Sequence, residues 1–320
     1  MSERVRWGIL STARISAALL GGAREAANAE VVAVASRDEA RAAAYAAENG
    51  IVTVHGSYEA LLADPEVEAV YIPLPNSMHV PWSVRALEAG KHVLCEKPLS
   101  RRAADVETAF DAAERAGRLL MEAFMWRYHP QTDELVRLVR DGAVGRLRVV
   151  RAAFGFGLEP GAVNVRWSGE LEGGALMDVG CYCVSALRLL AGEPSRVAAE
   201  LVAGGEGVDA RMAGLLRFDD DVLGTFDCGF DVPRRSAIEV VGDAGTIVSD
   251  DPWHGRAPRM RLTRDGAEPE EIPVAAVDPY RLELEDFARA VRDGGAPRLG
   301  RADAVSQARV IEALYAAAGG

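Results

Sequence analysis

The sequence has 320 residues, of which 49% are hydrophobic and 26% are charged, as in ordinary globular proteins. Its 36 basic and 48 acidic residues leave a net charge of −12, and a field of this sign repels nucleic acids and anionic membranes. No apolar run reaches the roughly 18 residues of a membrane-spanning helix, and segment 1–6 is too polar for a signal peptide. These features exclude a fibrous or disordered chain and predict a cytoplasmic protein of about two domains.

The first part of the chain alternates short apolar strands with helical patterns. Strands are predicted over 5–10, 30–35, 51–54, 69–72, 92–95 and 118–121, and helices from after residue 10 to about 27 and over 39–48, 57–63, 79–89 and 103–116. Strands separated by such helices form a parallel sheet with helices on both faces. A doubly wound α/β domain is therefore predicted over residues 1–122.

After Pro130 the pattern changes. Helices are predicted over 132–140, 174–190, 281–292 and 301–317, with a strand over 147–156. Between residues 196 and 262 the apolar period is two, and the turns at 219–221 and 243–245 predict hairpins. The second domain, over 123–320, is therefore predicted to be an α/β domain whose large, mostly antiparallel sheet has one buried face.

The cysteines and histidines give no metal or disulfide pattern. Four cysteines in a chain of this length are no disulfide framework and are predicted to be reduced, and Cys181-x-Cys183 lacks the second ligand pair of a zinc module. The five histidines are dispersed along the sequence without metal-ligand spacing. No metal site is predicted.

Lysine is rare in this chain. Among the 36 basic residues only Lys91 and Lys97 are lysines, and the other 34 are arginines. Arginine stays protonated in proteins, whereas lysine is a compact, titratable cation, so a retained lysine is a candidate for a role that arginine does not fill. Lys91 begins a strand after an Ala-Gly turn and is predicted to be surface charge. Lys97 follows the end of a strand.

The turn after the first strand occupies the place of the G-x-G-x-x-G motif in dinucleotide-binding folds. Ser11, Ala13 and Ser16 stand at its three glycine positions. These small residues still allow a pyrophosphate to approach the backbone, and a helix N-terminus offers its amides to an anion. The alternative is an ordinary strand-to-helix turn that binds no ligand.

The end of the second strand indicates which cofactor is preferred. An enzyme that uses NAD carries Asp or Glu there to bind the ribose hydroxyls, whereas this chain has Ser36-Arg37. A serine hydroxyl and a guanidinium suit a 2′-phosphate, which favours NADP over NAD. The alternative is that Arg37 is a solvated surface residue and Asp38 binds the ribose.

The segment Glu96-Lys97-Pro98 follows the fifth strand, at the carboxyl edge where open α/β sheets bind ligands. Together with segment 75–79 upstream and segment 173–182 downstream, it resembles the glucose-fructose oxidoreductase / inositol dehydrogenase / rhizopine catabolism family. The resemblance runs from residue 6 to the closing helices. It implies an N-terminal Rossmann domain, a C-terminal α/β domain whose open sheet commonly mediates oligomers, and hydride transfer between NAD(P) and a sugar, polyol or related carbonyl.

The resemblance also implies residue roles. The family's functional lysine falls on Lys97, its aspartate on Asp178 and its acid/base residue on Tyr182. Tyrosine instead of histidine at this last position, together with segment 121–130, places the chain nearest the dihydrodiol dehydrogenase and NADP-dependent D-xylose dehydrogenase branch. Ala13 also occurs in some sugar ketoreductases.

Further contacts complete the predicted site, although each of the weaker ones is, taken singly, more often a packing residue or a surface ion pair. The predicted cofactor contacts are Ser11, Thr12, Ala13, Arg14, Ile15, Ser36, Arg37, Pro73, Leu74, Asn76, His79, Glu96, Lys97, Trp126 and Arg127. The predicted substrate contacts are Lys97, Trp126, Phe154, Arg166, Trp167, Asp178 and Tyr182.

The chemistry of the lysine and tyrosine agrees with these roles. A hydroxyl must lose its proton as hydride leaves, and a phenol with a pKa near 10 is a poor base at neutral pH. A lysine cation nearby favours the phenolate and can hydrogen-bond the reacting oxygen. Asp178 stands one helical turn before Tyr182 and is expected to orient the lysine or a substrate hydroxyl. The alternative for Tyr182 is a purely structural role, as a core tyrosine on a buried helix.

The predicted function is hydride transfer between NADP(H) and a sugar, polyol or trans-dihydrodiol, in the manner of an aldose 1-dehydrogenase or a dihydrodiol dehydrogenase, by a homodimer or homotetramer. One alternative is an NADPH-dependent keto-sugar reductase of deoxysugar biosynthesis, and another is a non-catalytic NADP-sensing or scaffold protein. A short-chain dehydrogenase is excluded because Tyr182 is not followed by the x-x-x-Lys that such enzymes require.

Overall fold

The computed structural model describes residues 4–159 and 164–319. The chain divides into two compact units, Met1–Met125 with Pro279–Val305 and Trp126–Asp278 with Ser306–Gly320. The first border agrees with the predicted change of pattern, but the assignment of all of 123–320 to the second domain is corrected, because residues 279–305 belong to the first unit.

The first unit contains a parallel six-stranded sheet in the order β3-β2-β1-β4-β5-β6. Its strands are β1 (Val5–Leu10), β2 (Ala29–Ala35), β3 (Thr53–His55), β4 (Ala69–Ile72), β5 (His92–Glu96) and β6 (Leu120–Ala123). The helices α1 (Ser16–Glu25), α2 (Glu39–Asn49), α3 (Tyr58–Ala63), α4 (His79–Glu88) and α5 (Ala103–Ala116) connect them. This strand order is that of the Rossmann fold, which confirms the predicted fold class.

Glycine and polar caps set the limits of these helices. Gly50 and Gly117 follow α2 and α5 with φ of 71° and 60°, the left-handed conformation that glycine adopts without a steric penalty. At the other end of α2, Asp38 accepts a hydrogen bond from the Arg41 amide. The helix boundaries predicted from the sequence therefore have a local physical cause.

The second unit contains an eight-stranded sheet in the order β14-β13-β12-β11-β7-β10-β9-β8. It begins with helix α6 (Pro130–Arg140) and strand β7 (Leu147–Gly157), and helix α7 (Cys181–Ala191) follows a π-helical turn at Leu176–Gly180. The remaining strands are β8 (Arg196–Ala203), β9 (Asp209–Arg217), β10 (Leu223–Gly229), β11 (Asp231–Gly242), β12 (Gly245–Asp250), β13 (Arg259–Arg264) and β14 (Glu270–Ile272). Of the pairs in this sheet, β7 with β10 is parallel and the others are antiparallel.

One face of this sheet is covered and the other is open. Along β9, Met212 and Leu216 are buried, whereas Arg211 and Leu215 alternate with them on the open face. Helix α7 packs against β7 and β10 on the buried side. The predicted one-sided sheet is therefore present.

Two helices close the chain, α8 (Pro279–Asp293) and α9 (Arg301–Ala317). Helix α8 packs on α1, and a Cβ on Gly22 would lie 2.5 Å from the Arg281 amide nitrogen, so this approach needs glycine. The Phe287 ring lies 5.3 Å from the Trp7 ring, and both side chains are fully buried. Helix α8 therefore completes the core of the first unit, which is the physical reason for the corrected domain limits.

Lys91 is not surface charge, contrary to the prediction. It is 7% exposed, and its ammonium donates hydrogen bonds to the backbone carbonyls of Asp64 and Val67, at 2.6 and 2.7 Å. Burial lowers the pKa of this ammonium. Lys91 thus connects the turn before β4 to the start of β5 through two hydrogen bonds.

All four cysteines are buried and free. Within residues 4–159 and 164–319, no helix is both long enough and apolar enough to cross a bilayer.

Replacing Lys91 with methionine should reduce stability, because the carbonyls of Asp64 and Val67 would lose a buried donor. We expect Lys91→Met to lower the free energy of unfolding by about 2 kcal/mol in urea titrations. The exposed cation Arg115, at the end of α5, provides the control, and Arg115→Met should change it by less than about 0.5 kcal/mol. Equal effects of the two substitutions would contradict the role given to Lys91.

Candidate active site

The carboxyl ends of four parallel strands bring the predicted cofactor residues to one edge of the first unit. Strand β1 pairs with β2 and β4, and β4 pairs with β5, so the segments that follow these strands emerge side by side. The Ser11 amide donates to the Ala35 carbonyl at 3.0 Å, and the Ser11 hydroxyl donates to the Pro73 carbonyl at 3.4 Å. The arrangement is that of a dinucleotide-binding edge.

Ser11 keeps the backbone conformation of a glycine. Its φ is 120°, in the region that side chains rarely adopt, and its hydroxyl accepts a hydrogen bond from the Ala13 amide at 3.2 Å. Helix α1 begins without a side-chain cap, so no side chain competes for an anion at its N-terminus. The loop 11–15 therefore fits a pyrophosphate although the motif lacks its glycines.

The two residues predicted to bind a 2′-phosphate, Ser36 and Arg37, follow β2 directly at this edge. The Ser36 hydroxyl accepts a hydrogen bond from the Asp38 amide, and the Asp38 carboxylate caps α2, which argues against the alternative that Asp38 binds a ribose. Arg37 is exposed. Burial raises the pKa of Tyr58, and the Arg37 guanidinium beside that hydroxyl opposes the shift. Tyr58 was missed by the sequence analysis, since its proximity to Arg37 follows from the pairing of β2 with β3.

The Glu96-Lys97-Pro98 segment is held by carboxylates. The Tyr71 hydroxyl donates to Glu96 Oε1 at 2.6 Å, and the Lys97 amide donates to Glu96 Oε2 at 3.3 Å. Two residues further along, the Leu99 amide donates to Glu122 Oε1 at 2.7 Å. Lys97 itself is half-buried, and the Lys97–Pro98 peptide is cis. These contacts fix the backbone that carries the lysine.

His79, predicted as a cofactor contact, is 1% exposed. Both of its ring nitrogens lie 2.8 Å from backbone carbonyl oxygens, those of Pro98 and Leu74. The structure therefore places His79 beneath the segment that carries Lys97, with its ring nitrogens already in contact with the backbone.

In the second unit, Tyr182 lies in α7 and is 7% exposed. Its ring packs edge-on against Phe154, at 5.3 Å between centroids, and lies 5.8 Å from Trp253. Phe154 stacks on Trp253 at 5.7 Å, and Trp126 meets Trp253 edge-on at 5.4 Å. We call these four residues the aromatic cluster, and it includes three of the predicted site residues.

Asp178 lies in the π-helical turn before α7, a type of turn that is frequent at functional sites. Its carboxylate accepts a hydrogen bond from Arg166 Nε at 2.5 Å, so two predicted substrate contacts meet in the second unit. The start of the turn is fixed by the Leu176 amide, which donates to Asp209 Oδ2 at 2.6 Å. Gly174, with φ of 110°, has no space for a Cβ beside Asp209.

The other predicted residues of the second unit have less direct roles. Arg127 donates a hydrogen bond to the Ser185 hydroxyl of α7. Trp126 is 1% exposed, and its indole N–H has no acceptor among the described residues. Trp167 donates to the Glu159 carbonyl and packs on Phe230, and within the described residues none of its ring contacts reaches the aromatic cluster.

The sequence analysis missed Trp253, which is fully buried at the centre of the aromatic cluster. Its indole N–H donates to the Ala153 carbonyl at 3.1 Å, which ties the loop after β12 to β7. The neighbouring His254 meets Phe154 edge-on at 5.8 Å. A tryptophan-histidine pair in a turn between two strands is the sequence signal that marks this place. No group of three or more metal-ligating side chains occurs in the described ranges.

Comparison with known proteins gives two family matches. Residues 5–124 match the oxidoreductase family with an NAD-binding Rossmann fold, and residues 132–248 match the GFO/IDH/MocA C-terminal domain. The two matches together account for most of the chain.

Individual relatives agree with these matches. The chain is 43% identical to a D-xylose 1-dehydrogenase (NADP(+)) from Haloferax volcanii, over 98% of this chain and 97% of that protein. It is 34% identical to a trans-1,2-dihydrobenzene-1,2-diol dehydrogenase from Danio rerio, with 96% and 95% covered. A 3-ketoreductase from Actinomadura kijaniata, solved with NADP and TDP-benzene, has a TM-score of 0.92 at 30% identity, with 98% of each chain covered.

Proposed function

Because this chain belongs to the GFO/IDH/MocA oxidoreductase family, we propose that it transfers hydride between NADP(H) and a sugar, polyol or trans-dihydrodiol. The observation that carries the proposal is the carboxyl edge of the Rossmann sheet, which presents the Ser11 loop, Ser36-Arg37 and Lys97 side by side. The similarity to an NADP-dependent D-xylose dehydrogenase over 98% of the chain supports the substrate class.

The cofactor is proposed to be NADP. The loop 11–15 would hold its pyrophosphate, and Ser36 and Arg37 would hold its 2′-phosphate through a hydroxyl and a guanidinium. The capping role of Asp38 supports this choice over NAD, since its carboxylate is engaged with the Arg41 amide. When bound, NADP would supply the acceptor for the hydride that the substrate loses.

We assign Tyr182 the role of acid/base, assisted by Lys97. In the oxidative direction the Tyr182 oxygen removes the proton of the reacting hydroxyl, and in the reductive direction it returns one. The Lys97 ammonium is proposed to stabilise negative charge on the substrate oxygen. Asp178, held by Arg166, is proposed to orient a substrate hydroxyl by accepting its hydrogen bond.

Within the aromatic cluster, the half-buried Phe154 ring, which stands edge-on to Tyr182 at 5.3 Å, is proposed to pack on the C–H face of a sugar or on a small apolar ring. A second candidate function is the reduction of a keto-sugar by NADPH, which uses the same residues in reverse. The structural similarity to a 3-ketoreductase supports this second candidate function.

The open face of the second unit's sheet is proposed to join copies of this chain as a homodimer or homotetramer. Leu215 and Val202, two of the large apolar side chains that remain exposed, are both on strands of this sheet, at 42% and 44% exposure. Ala198 pairs with Leu215 across the two strands, whereas Val202 pairs with Arg211, so the proposed interface combines small, apolar and charged side chains. The four buried thiols fit the reducing cytoplasm proposed as the enzyme's location.

The direct test of the function is a substrate panel. We expect NADP reduction with one or more aldoses or trans-dihydrodiols, or NADPH oxidation with keto-sugars, followed by absorbance. Fluorescence titration with NADPH tests cofactor binding separately. Failure to turn over any member of the panel, together with failure to bind the cofactor, would show that the chain is not an enzyme of this class.

Lys97→Arg should keep the charge and the fold but lose most activity, because the guanidinium is larger and cannot take the place of a compact ammonium. We expect kcat/KM to fall at least about 100-fold. Combining Lys97→Arg with Tyr182→Phe should cost little more than the larger single effect, since the two residues act in one step. Near-native turnover of Lys97→Arg would reduce the role of Lys97 to charge alone.

Cofactor preference should depend on the residues after β2. Arg37→Gln removes a charged hydrogen bond to the 2′-phosphate and should lower kcat/KM for NADP about tenfold or more, with NAD as the internal control that stays unchanged. Ser36→Asp adds a carboxylate that repels the 2′-phosphate and should shift the preference toward NAD. An equal loss with both cofactors would contradict the assignment.

Oligomer formation should depend on the open sheet face. Leu215→Glu places a charge on this face and should reduce the molar mass in light-scattering measurements toward that of a monomer. Val52, 90% exposed in the first unit, provides the control, and Val52→Glu should leave the mass unchanged. A native protein that is already monomeric would contradict the proposed assembly.

A further inference from the structure

His79 connects two segments of the candidate site from inside the first unit. The residue begins α4, is 1% exposed, and directs Nδ1 to the Pro98 carbonyl and Nε2 to the Leu74 carbonyl, each at 2.8 Å. Both partners are hydrogen-bond acceptors, because a backbone carbonyl cannot donate. Each of them therefore needs a proton from the ring.

A neutral imidazole carries one N–H, so it satisfies one of the two carbonyls, whereas an imidazolium satisfies both. Burial lowers the pKa of His79 to about 4, the two carbonyls oppose this shift, and the charge of Lys97 adds to it. At neutral pH the ring is thus uncharged. The single ring proton is donated to one of the two carbonyls and the other ring nitrogen faces the second, so the ring bridges the two segments as a neutral brace beside a cation.

The two carbonyls belong to the segments that the candidate site needs. Leu74 stands in the loop after β4, between Pro73 and Asn76, where cofactor contacts are predicted. Pro98 follows Lys97 directly in the chain. A shift of the ring would therefore move the Lys97 backbone relative to the loop after β4.

Other contacts of this segment hold the amides on either side of Pro98. Glu96 and Glu122 hold the amides of Lys97 and Leu99, on either side of Pro98. Proline has no amide hydrogen, so its carbonyl is the polar group through which the backbone at this residue is held. The His79 ring reaches that carbonyl from α4, a rigid element whose own start it forms.

We propose that His79 is a positioning residue that acts through Lys97, bracing the Lys97–Pro98 segment against the Leu74 loop through the contacts of its two ring nitrogens. This proposal rests on the proposed function of Lys97. It assigns His79 no contact with substrate and gives it a task that a residue of similar size without ring nitrogens does not perform.

A double-mutant cycle tests it. In an enzyme with Lys97, His79→Leu should lower kcat/KM about 10- to 100-fold, because small displacements of a reacting group have effects of this size. In a Lys97→Met background the same substitution should change kcat/KM less than about twofold, since the group it positions is gone. Equal factors in the two backgrounds would overturn the proposal and show a general structural role.

Controls separate this outcome from others. His92→Leu removes a half-buried imidazole from the start of β5, where Nδ1 accepts a hydrogen bond from the Leu119 amide, and should leave kcat/KM within about twofold. If His79→Leu does not fold by circular dichroism, His79→Phe, whose ring has no nitrogen to contact the carbonyls, takes its place in the same cycle. If Lys97→Met alone keeps native activity, the proposed function of Lys97 fails. This outcome differs from failure of the His79 proposal, in which the His79 substitution lowers kcat/KM by the same factor in both backgrounds.

The protonation state of the brace has its own measurement. Nitrogen-15 NMR of the histidine rings should show one protonated and one unprotonated nitrogen for His79 at pH 7, assigned by its loss in His79→Gln. Two protonated nitrogens at that pH would overturn the neutral brace.

Discussion

The parallel pairing of β1 with β2 and β4, and of β4 with β5, is the constraint on which the candidate cofactor site depends. Each of these strands ends at the same edge, and its next residue is a predicted site residue: Ser11, Ser36, Pro73 and Lys97. The register is set by fully buried strands such as Ala69–Ile72. Because a slip of one residue would turn every side chain of a strand to the opposite face, the core itself holds these four positions in place.

The sequence predicted the fold well where local patterns decide it. The helix over 103–116 was predicted correctly because its amphipathic period is a local signal, and Gly117 ends it in the structure. The packing of α8 on the first unit was not predicted. The apolar face of this helix indicates that it is buried, but the sequence does not show which unit it packs against. Lys91 was misjudged for a similar reason, because the carbonyls that receive its ammonium come from a turn more than 20 residues earlier.

The features of the candidate site also fall into those that local motifs predict and those that depend on distant segments. Lys97, Asp178 and Tyr182 were named from short motifs, and the Ser11 loop from its position after the first strand. The pairing of Asp178 with Arg166 and the central place of Trp253 depend on side chains from separate segments, which no motif connects. The predicted regular helix over 174–190 contains a π-helical turn, because Asp209 and the approach of Gly174 fix its start from another strand.

The return of α8 to the first unit has a consequence for synthesis of the chain. The unit that opens the sequence lacks the Phe287 ring that covers Trp7 until residues 279–305 have been made. At ordinary elongation rates the ribosome needs roughly 10 to 40 seconds to travel that far beyond residue 125. During this interval the first sheet exposes apolar surface, so the complete core of the amino-terminal unit is assembled after most of the second unit has left the ribosome.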